Sequence, residues 1–190
     1  AQSYEDVRDC ITKPGLAVWF SSADESAARE YILYCEQWAR LYKETGELLS
    51  LGEEILDEKN GIKALVLRLK NGSRLHGLSS NPKAFRSKGG KTVLDEFDWH
   101  EDQQAMYAAA KPCVTWGYDL RILSTYRSAT GLYAQFVREA KKAREEGRPP
   151  TFSLHSASIF DAVAQGLLDR ITGRPTTPEE RAAWLEEEHE

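Results

Sequence analysis

The chain has 190 residues, 41% hydrophobic and 29% charged, the balance of a soluble globular protein with a sizeable core. Its net charge of −5 excludes nucleic-acid binding through overall basicity, although Lys83–Lys91 and Arg138–Arg148 are local basic stretches. No apolar run reaches the roughly 18 residues of a membrane span, no signal peptide is visible, and three scattered cysteines without a CxxC pair argue against a disulfide framework, so a reducing cytoplasm is expected.

In chain order, Tyr4, Val7 and Ile11 share one face of a short opening helix that Pro14-Gly15 ends. Leu16–Phe20 is a continuous apolar run, the mark of a strand covered on both faces. A helix follows over Glu25–Tyr42, with Ala28, Tyr31, Ile32, Cys35, Trp38, Ala39 and Tyr42 at helical spacing. Gly46–Gly52 reads as a loop. Ile62–Leu69 alternates as a strand, Asn71-Gly72 signals a hairpin, and Arg74–Ser79 is the returning strand. A polar loop over Asn81–Gly90 leads into a strand at Val93–Phe97. Helix Glu101–Ala110, strand Asp119–Thr125, helix Gly131–Glu146, a short strand at Phe152–His155 and helix Ile159–Ile171 come next. Thr177-Pro178 starts a last helix, with an N-cap followed by Pro at the first helical position. Alternating strands and helices predict an α/β fold, a mostly parallel sheet flanked by helices with one antiparallel hairpin.

The stretch Lys91–His100, KTVLDEFDWH, carries the chemistry. A buried strand delivers adjacent carboxylates, Asp95 and Glu96, to the rim of the sheet, where ligands of open α/β sheets bind. In a nucleotide hydrolase the first holds the water shell of Mg²⁺ and the second polarises the attacking water. The bland alternative is an exposed acidic strand end. Ser124 and Thr125 close the next strand, where hydroxyls sense a γ-phosphate, orient the water, or merely cap the following helix. Arg86 lies shortly before the acidic strand. An arginine beside a phosphoryl group is worth about 10³–10⁵ in rate, and otherwise it is a solvated loop residue. Gly90-Lys91-Thr92 imitates the end of a phosphate-binding loop, but the required first glycine falls on Phe85 and the run leads into a strand, not a helix. His100 reads as structural or as support for the acids, the other histidines as unremarkable, and Trp19, Trp38, Trp99 and Trp116 as core residues.

The run Leu78–His100, together with Ala109–Pro112, Arg121–Ser128 and the early strand and helix around Trp19 and Trp38, resembles the large terminase subunit of tailed phages, in the branch of Mu-like phages and prophages. The resemblance implies a DNA-packaging motor: a P-loop NTPase of the ASCE type followed by an RNase H-like nuclease. It implies Asp95 and Glu96 as the Walker B pair, with Asp95 on Mg²⁺ through water and Glu96 catalytic. Ser124-Thr125 match the coupling motif, and Arg86 sits about where some members supply an arginine to a neighbouring subunit of a ring. The expected cofactors are ATP and Mg²⁺. The expected partners are double-stranded DNA, the portal protein and the small terminase subunit, in a bacterial cytoplasm and without a membrane. The family's phosphate loop belongs upstream of Leu16–Phe20, and the chain opens on Ala1 with Met106 as its only methionine. Residues 1–175 are therefore expected to be a partial ATPase domain, inactive alone, and 176–190 a helix leading toward the nuclease. A helicase-like or AAA-like ATPase fragment, or a non-catalytic prophage remnant acting as an interaction module, are the other readings.

Overall fold

The computed structural model describes residues 1–42, 48–59 and 61–187. Two compact units divide the chain, 1–138 and 139–190, with the boundary inside one helix.

In the first unit the described residues form a six-stranded sheet. Its elements are α1 (Gln2–Thr12), β1 (Ala17–Ser22), α2 (Glu25–Leu41), β2 (Leu48–Asp57), β3 (Ile62–Leu69), β4 (Arg74–Leu78), β5 (Lys91–Asp95), α3 (Gln103–Ala110) and β6 (Leu120–Ile122). The strand order is β2-β3-β4-β1-β5-β6. β4, β1, β5 and β6 run parallel, while β3 is antiparallel to both β4 and β2. The expected fold class is thus the observed one: a mixed, mostly parallel sheet flanked by helices.

Central β1 shows why its run is apolar throughout. Val18 and Phe20 pack under α1 and α2 with Ile32, Cys35 and Val93, whereas Trp19 joins Leu94, Phe97, Met106 and Cys113 on the other face. Both faces are covered, so both alternating sets must be apolar. Gly77 of β4 lets α2 approach, since a Cβ there would lie 2.7 Å from the Ala28 carbonyl oxygen. The hairpin turns at Asn71-Gly72, where Gly72 has φ +86° and Asn71 donates from Nδ2 to the Cys10 carbonyl at 2.8 Å.

Several expectations are corrected. Gly46 and Glu47 of the expected Gly46–Gly52 loop lie outside the described residues, and from Leu48 the chain is already in β2. β2 is an edge strand carrying Glu53 and Glu54. Such charges blunt an edge against further pairing, and they also hide it from a hydrophobic-pattern reading. The acidic strand runs over Lys91–Asp95, two residues earlier than expected. Trp38, Trp99 and Trp116 are exposed, with Trp116 at 85%; only Trp19 of the four is in the core.

The second unit takes over within α4 (Leu132–Glu145) and contains α5 (Ile159–Ala164), α6 (Leu167–Thr172) and α7 (Pro178–Glu187). Phe152–His155, expected as a short strand after Pro149-Pro150, forms no strand. The long helix expected over Ile159–Ile171 is split by Gly166, whose φ of +90° interrupts the helical ladder. A capping box of Ser158 and Asp161 starts α5. Glu188, His189 and Glu190 lie outside the described residues.

Candidate nucleotide-hydrolysis site

The parallel strands share one C-terminal edge, and polar residues collect there. β1 ends in Ser21 and Ser22, β4 is followed by Ser79 and Ser80, β5 ends in Asp95, and β6 runs into Leu123, Ser124 and Thr125. Asp95 lies in register with Ser22, whose hydroxyl faces it at 3.4 Å. Asp95 and Glu96 are half-buried. Burial pushes the Asp95 carboxyl above its ordinary value. Burial, and then the charge of Asp95, does the same to Glu96. Raised carboxyl pKa values at the rim of a sheet are the environment of a proton-accepting group.

Glu96 ends the strand through its backbone. Its φ of +49° is left-handed, a conformation that strains a residue with a Cβ by about 1–2 kcal/mol. Three interactions hold it there. Phe97, fully buried, donates its N–H to the Leu123 carbonyl at 3.1 Å. Trp99 N–H closes a 3₁₀ turn on the Glu96 carbonyl at 2.9 Å. Buried His100 binds the Asp95 carbonyl from Nε2 at 3.1 Å and Ser80 Oγ through Nδ1 at 2.6 Å. The Asp95 carbonyl can only accept, so Nε2 carries the proton and Nδ1 takes the serine hydroxyl. Burial lowers the His100 pKa, which keeps the ring neutral in that tautomer. Both ring nitrogens of His100 are thus engaged, one on the backbone of Asp95 itself.

Ser124 and Thr125 are brought to the same edge, but their hydroxyls are engaged. Ser124 Oγ accepts the Asp98 N–H at 3.0 Å and donates to the Thr125 carbonyl at 2.8 Å. Thr125 Oγ1 accepts from Trp99 Nε1 at 3.3 Å. Arg86 is joined to neither Asp95 nor Glu96 by a hydrogen bond or ion pair. It is exposed at the end of a 3₁₀ turn, Pro82–Phe85, and its side chain makes no hydrogen bond or ion pair among the described residues.

Lys91, from the phosphate-loop look-alike, is 2% exposed at the opposite end of β5. Its ammonium lies 2.7 Å from Asp6 and 2.6 Å from Asp9, both on α1. Gly90-Lys91-Thr92 is thus a strand entry with a structural lysine, in line with the reading of the sequence.

Sequence reasoning missed Ser22, Asp98 and Gln103. Asp98 is 1% exposed, and its carboxylate accepts from the Arg127 and Ser128 backbone N–H groups at 2.6 and 2.9 Å and from Gln103 Nε2 at 2.9 Å. Asp98 three residues after Asp95 and in front of a helix was the visible signal; its partners some thirty residues on were not.

Over residues 1–182 the chain matches the family model for the terminase large subunit, T4likevirus-type, N-terminal. It is 30% identical over 174 residues to the Mu-like prophage FluMu protein gp28 of Haemophilus influenzae, covering 90% of this chain and 33% of that protein. It is 30% identical over 177 residues to the probable terminase large subunit gp28 of Escherichia phage Mu, covering 90% of this chain and 31% of that one. The chain thus spans about a third of the length of these relatives. Among solved structures it is similar to an arginine mutant of the large terminase ATPase domain of Thermus phage P74-26, with TM-score 0.58, 16% identity, and coverage of 94% of this chain and 78% of that one. It is also similar to the large terminase of the thermophilic bacteriophage D6E, with TM-score 0.51, 13% identity, and coverage of 86% and 40%.

Proposed function

Because the chain belongs to the terminase large-subunit family, we propose that it carries the acidic half of the ATP-hydrolysing site of a DNA-packaging motor. The observation that carries this reading is the delivery of Asp95 and Glu96, half-buried and with raised pKa values, to the shared C-terminal edge of parallel strands.

The donor set at this edge, the Asp95 carboxylate beside the Ser22 hydroxyl, suits Mg²⁺ carried by ATP. No group of three or more His, Cys, Asp or Glu side chains poised to hold a metal exists among the described residues. A cation held by Asp95 would therefore take most of its ligands from water and phosphate, as Mg²⁺ does. When bound, Mg²⁺ neutralises charge on the phosphate oxygens. Asp95, with the Ser22 hydroxyl beside it, would hold that cation. Glu96 stands off the strand on its left-handed backbone, and its raised pKa gives it the proton affinity to polarise an attacking water. Ser124 and Thr125 serve the coupling of hydrolysis to movement, since their hydroxyls bind the segment that follows Glu96. Arg86, exposed and not paired with the acids of its own chain, is assigned to the site of a neighbouring copy in a ring. Double-stranded DNA, the portal protein and the small terminase subunit are the proposed partners in the bacterial cytoplasm. No helix among the described residues is long and apolar enough to cross a membrane.

The test is steady-state ATP hydrolysis by the full-length large subunit and its Glu96→Gln variant. Turnover is expected to fall at least about a hundredfold, the scale of a lost general base, with nucleotide binding retained. Undiminished turnover would remove Glu96 from the mechanism.

A further inference from the structure

From the hydrogen bonds of one buried carboxylate, we infer that Asp98 is a positioning residue that locks the segment following the acidic pair to the segment joining β6 to α4, so that movement at Glu96 is passed to the start of α4. The inference rests on the hydrolytic reading of Asp95 and Glu96.

The two segments are fastened along their length. Phe97 N–H binds the Leu123 carbonyl, and Asp98 N–H binds Ser124 Oγ. One carboxylate oxygen of Asp98 accepts both the Arg127 and Ser128 N–H groups, and the other accepts Gln103 Nε2. Gln103 continues the tie. Its Nε2 also reaches the Asp98 carbonyl at 3.1 Å, and its Oε1 accepts the Tyr133 N–H at 3.1 Å, in the first turn of α4. Tyr133 returns its hydroxyl to the Ser124 carbonyl at 2.9 Å. Gly131, just ahead of α4, has no side chain because a Cβ there would stand 2.9 Å from Asp98 Oδ1 and 3.0 Å from Gln103 Nε2. The guanidinium of Arg127 lies 5.1 Å over the Trp99 ring, which adds a further contact between the segments.

Burial favours the neutral acid, but the backbone N–H groups of Arg127 and Ser128 outweigh it and hold the Asp98 pKa below its ordinary value. The carboxylate is therefore charged, and charge-assisted bonds to backbone donors are short and stiff. A stiff tie matters here because of what it joins. Asp98 follows the strained Glu96 by two residues, so any relaxation of Glu96 displaces the anchor, and the anchor carries the β6–α4 segment with it. A structural carboxylate elsewhere in the fold would stabilise one loop; this one joins the proposed chemistry to a helix.

The test uses the full-length large subunit with Asp98→Asn, Gln103→Ala and, as control, Glu96→Gln. ATP turnover is measured with and without double-stranded DNA. Amide exchange at Arg127 and Ser128 is measured with and without a non-hydrolysable ATP analogue. Asp98→Asn replaces one acceptor oxygen by an NH₂ donor, which must face either the two backbone N–H groups or Gln103 Nε2. It is expected to leave the KM for ATP within about twofold while DNA stimulation of kcat drops at least about fivefold, the lower range of coupling between sites. The analogue-dependent change in exchange at Arg127 and Ser128 is expected to vanish while that at Glu96–Trp99 persists. Gln103→Ala, which keeps the carboxylate and removes its link to Tyr133, is expected to reduce stimulation in the same direction and keeps the test valid should Asp98→Asn fold poorly. Full stimulation and an unaltered exchange response in the folded variants would overturn the inference. Retained turnover in Glu96→Gln would instead overturn the underlying assignment, so the two failures are distinguishable.

Discussion

Replacing Lys91 by Met separates a structural lysine from a phosphate-binding one. Lys91 is 2% exposed, and its ammonium sits between Asp6, fully buried, and Asp9, 14% exposed in its side chain. Asp6 also accepts the Tyr31 hydroxyl at 2.7 Å and Gln2 Nε2 at 2.9 Å, so it cannot swing out to water without breaking those bonds. Removing one partner of a buried ion pair leaves the other charge uncompensated and costs about 3–5 kcal/mol. For a chain of this length about 2–4 °C of melting temperature goes with each kcal/mol, so the variant should melt about 6–20 °C lower. The pH dependence has a definite sign. Burial works against ionisation of Asp9, but the Lys91 ammonium overrides it and holds its pKa below 3.8. That contribution is complete above the unfolded carboxyl pKa and is lost as pH falls through the folded one. Burial likewise opposes charge on Lys91, yet Asp6 and Asp9 hold its pKa above 10.5. This share is complete below the unfolded lysine pKa and is lost as pH rises through the folded one. The difference between wild type and Lys91→Met should therefore be greatest between about pH 5 and 9 and shrink on either side. Thermal melting across that pH range measures it. Adding Asp6→Asn should recover about 1–2 kcal/mol by removing the stranded charge. An unchanged melting temperature with weakened nucleotide binding would refute the structural assignment and return Lys91 to phosphate binding.

Other outcomes follow from single sites. Asp95→Asn should raise the melting temperature at pH 7, because burial raises the pKa of Asp95: its favourable share is lost as pH rises through that value, and the gain should disappear in acid. Glu96→Gly should stabilise by about 0.5–1 kcal/mol in denaturant unfolding, since relief of a left-handed Cβ exceeds the chain entropy of glycine, while ATP turnover is lost. Gly77→Ala should destabilise by about 1–3 kcal/mol, as its Cβ meets both the Ala28 carbonyl and, at 2.9 Å, Ile32 Cγ1; an unchanged unfolding midpoint would show that α2 shifts freely.

Much of this protein is written locally. The apolar run of β1, the Asn71-Gly72 hairpin and the helical spacing of α2 are signals between near neighbours, governed by backbone sterics and side-chain period, and each led to the element observed. The acidic pair at a strand end was legible for the same reason. Other features depend on residues far apart in the chain. β2 has an edge strand's charged, broken pattern, and only its partner β3 makes it a strand. Trp38, Trp99 and Trp116 were read as core, but burial is settled by which faces the sheet and helices cover. Lys91 only imitates a phosphate-loop lysine in the sequence, and packing places it in an ion cluster with Asp6 and Asp9 of α1 at the start of β5. Local sequence thus determined which segments become strands and helices and where the carboxylates fall. Tertiary structure alone decided which charges are buried together and that Asp98 reaches across to Arg127 and Ser128, since those energies arise only when the folded chain removes such groups from water side by side.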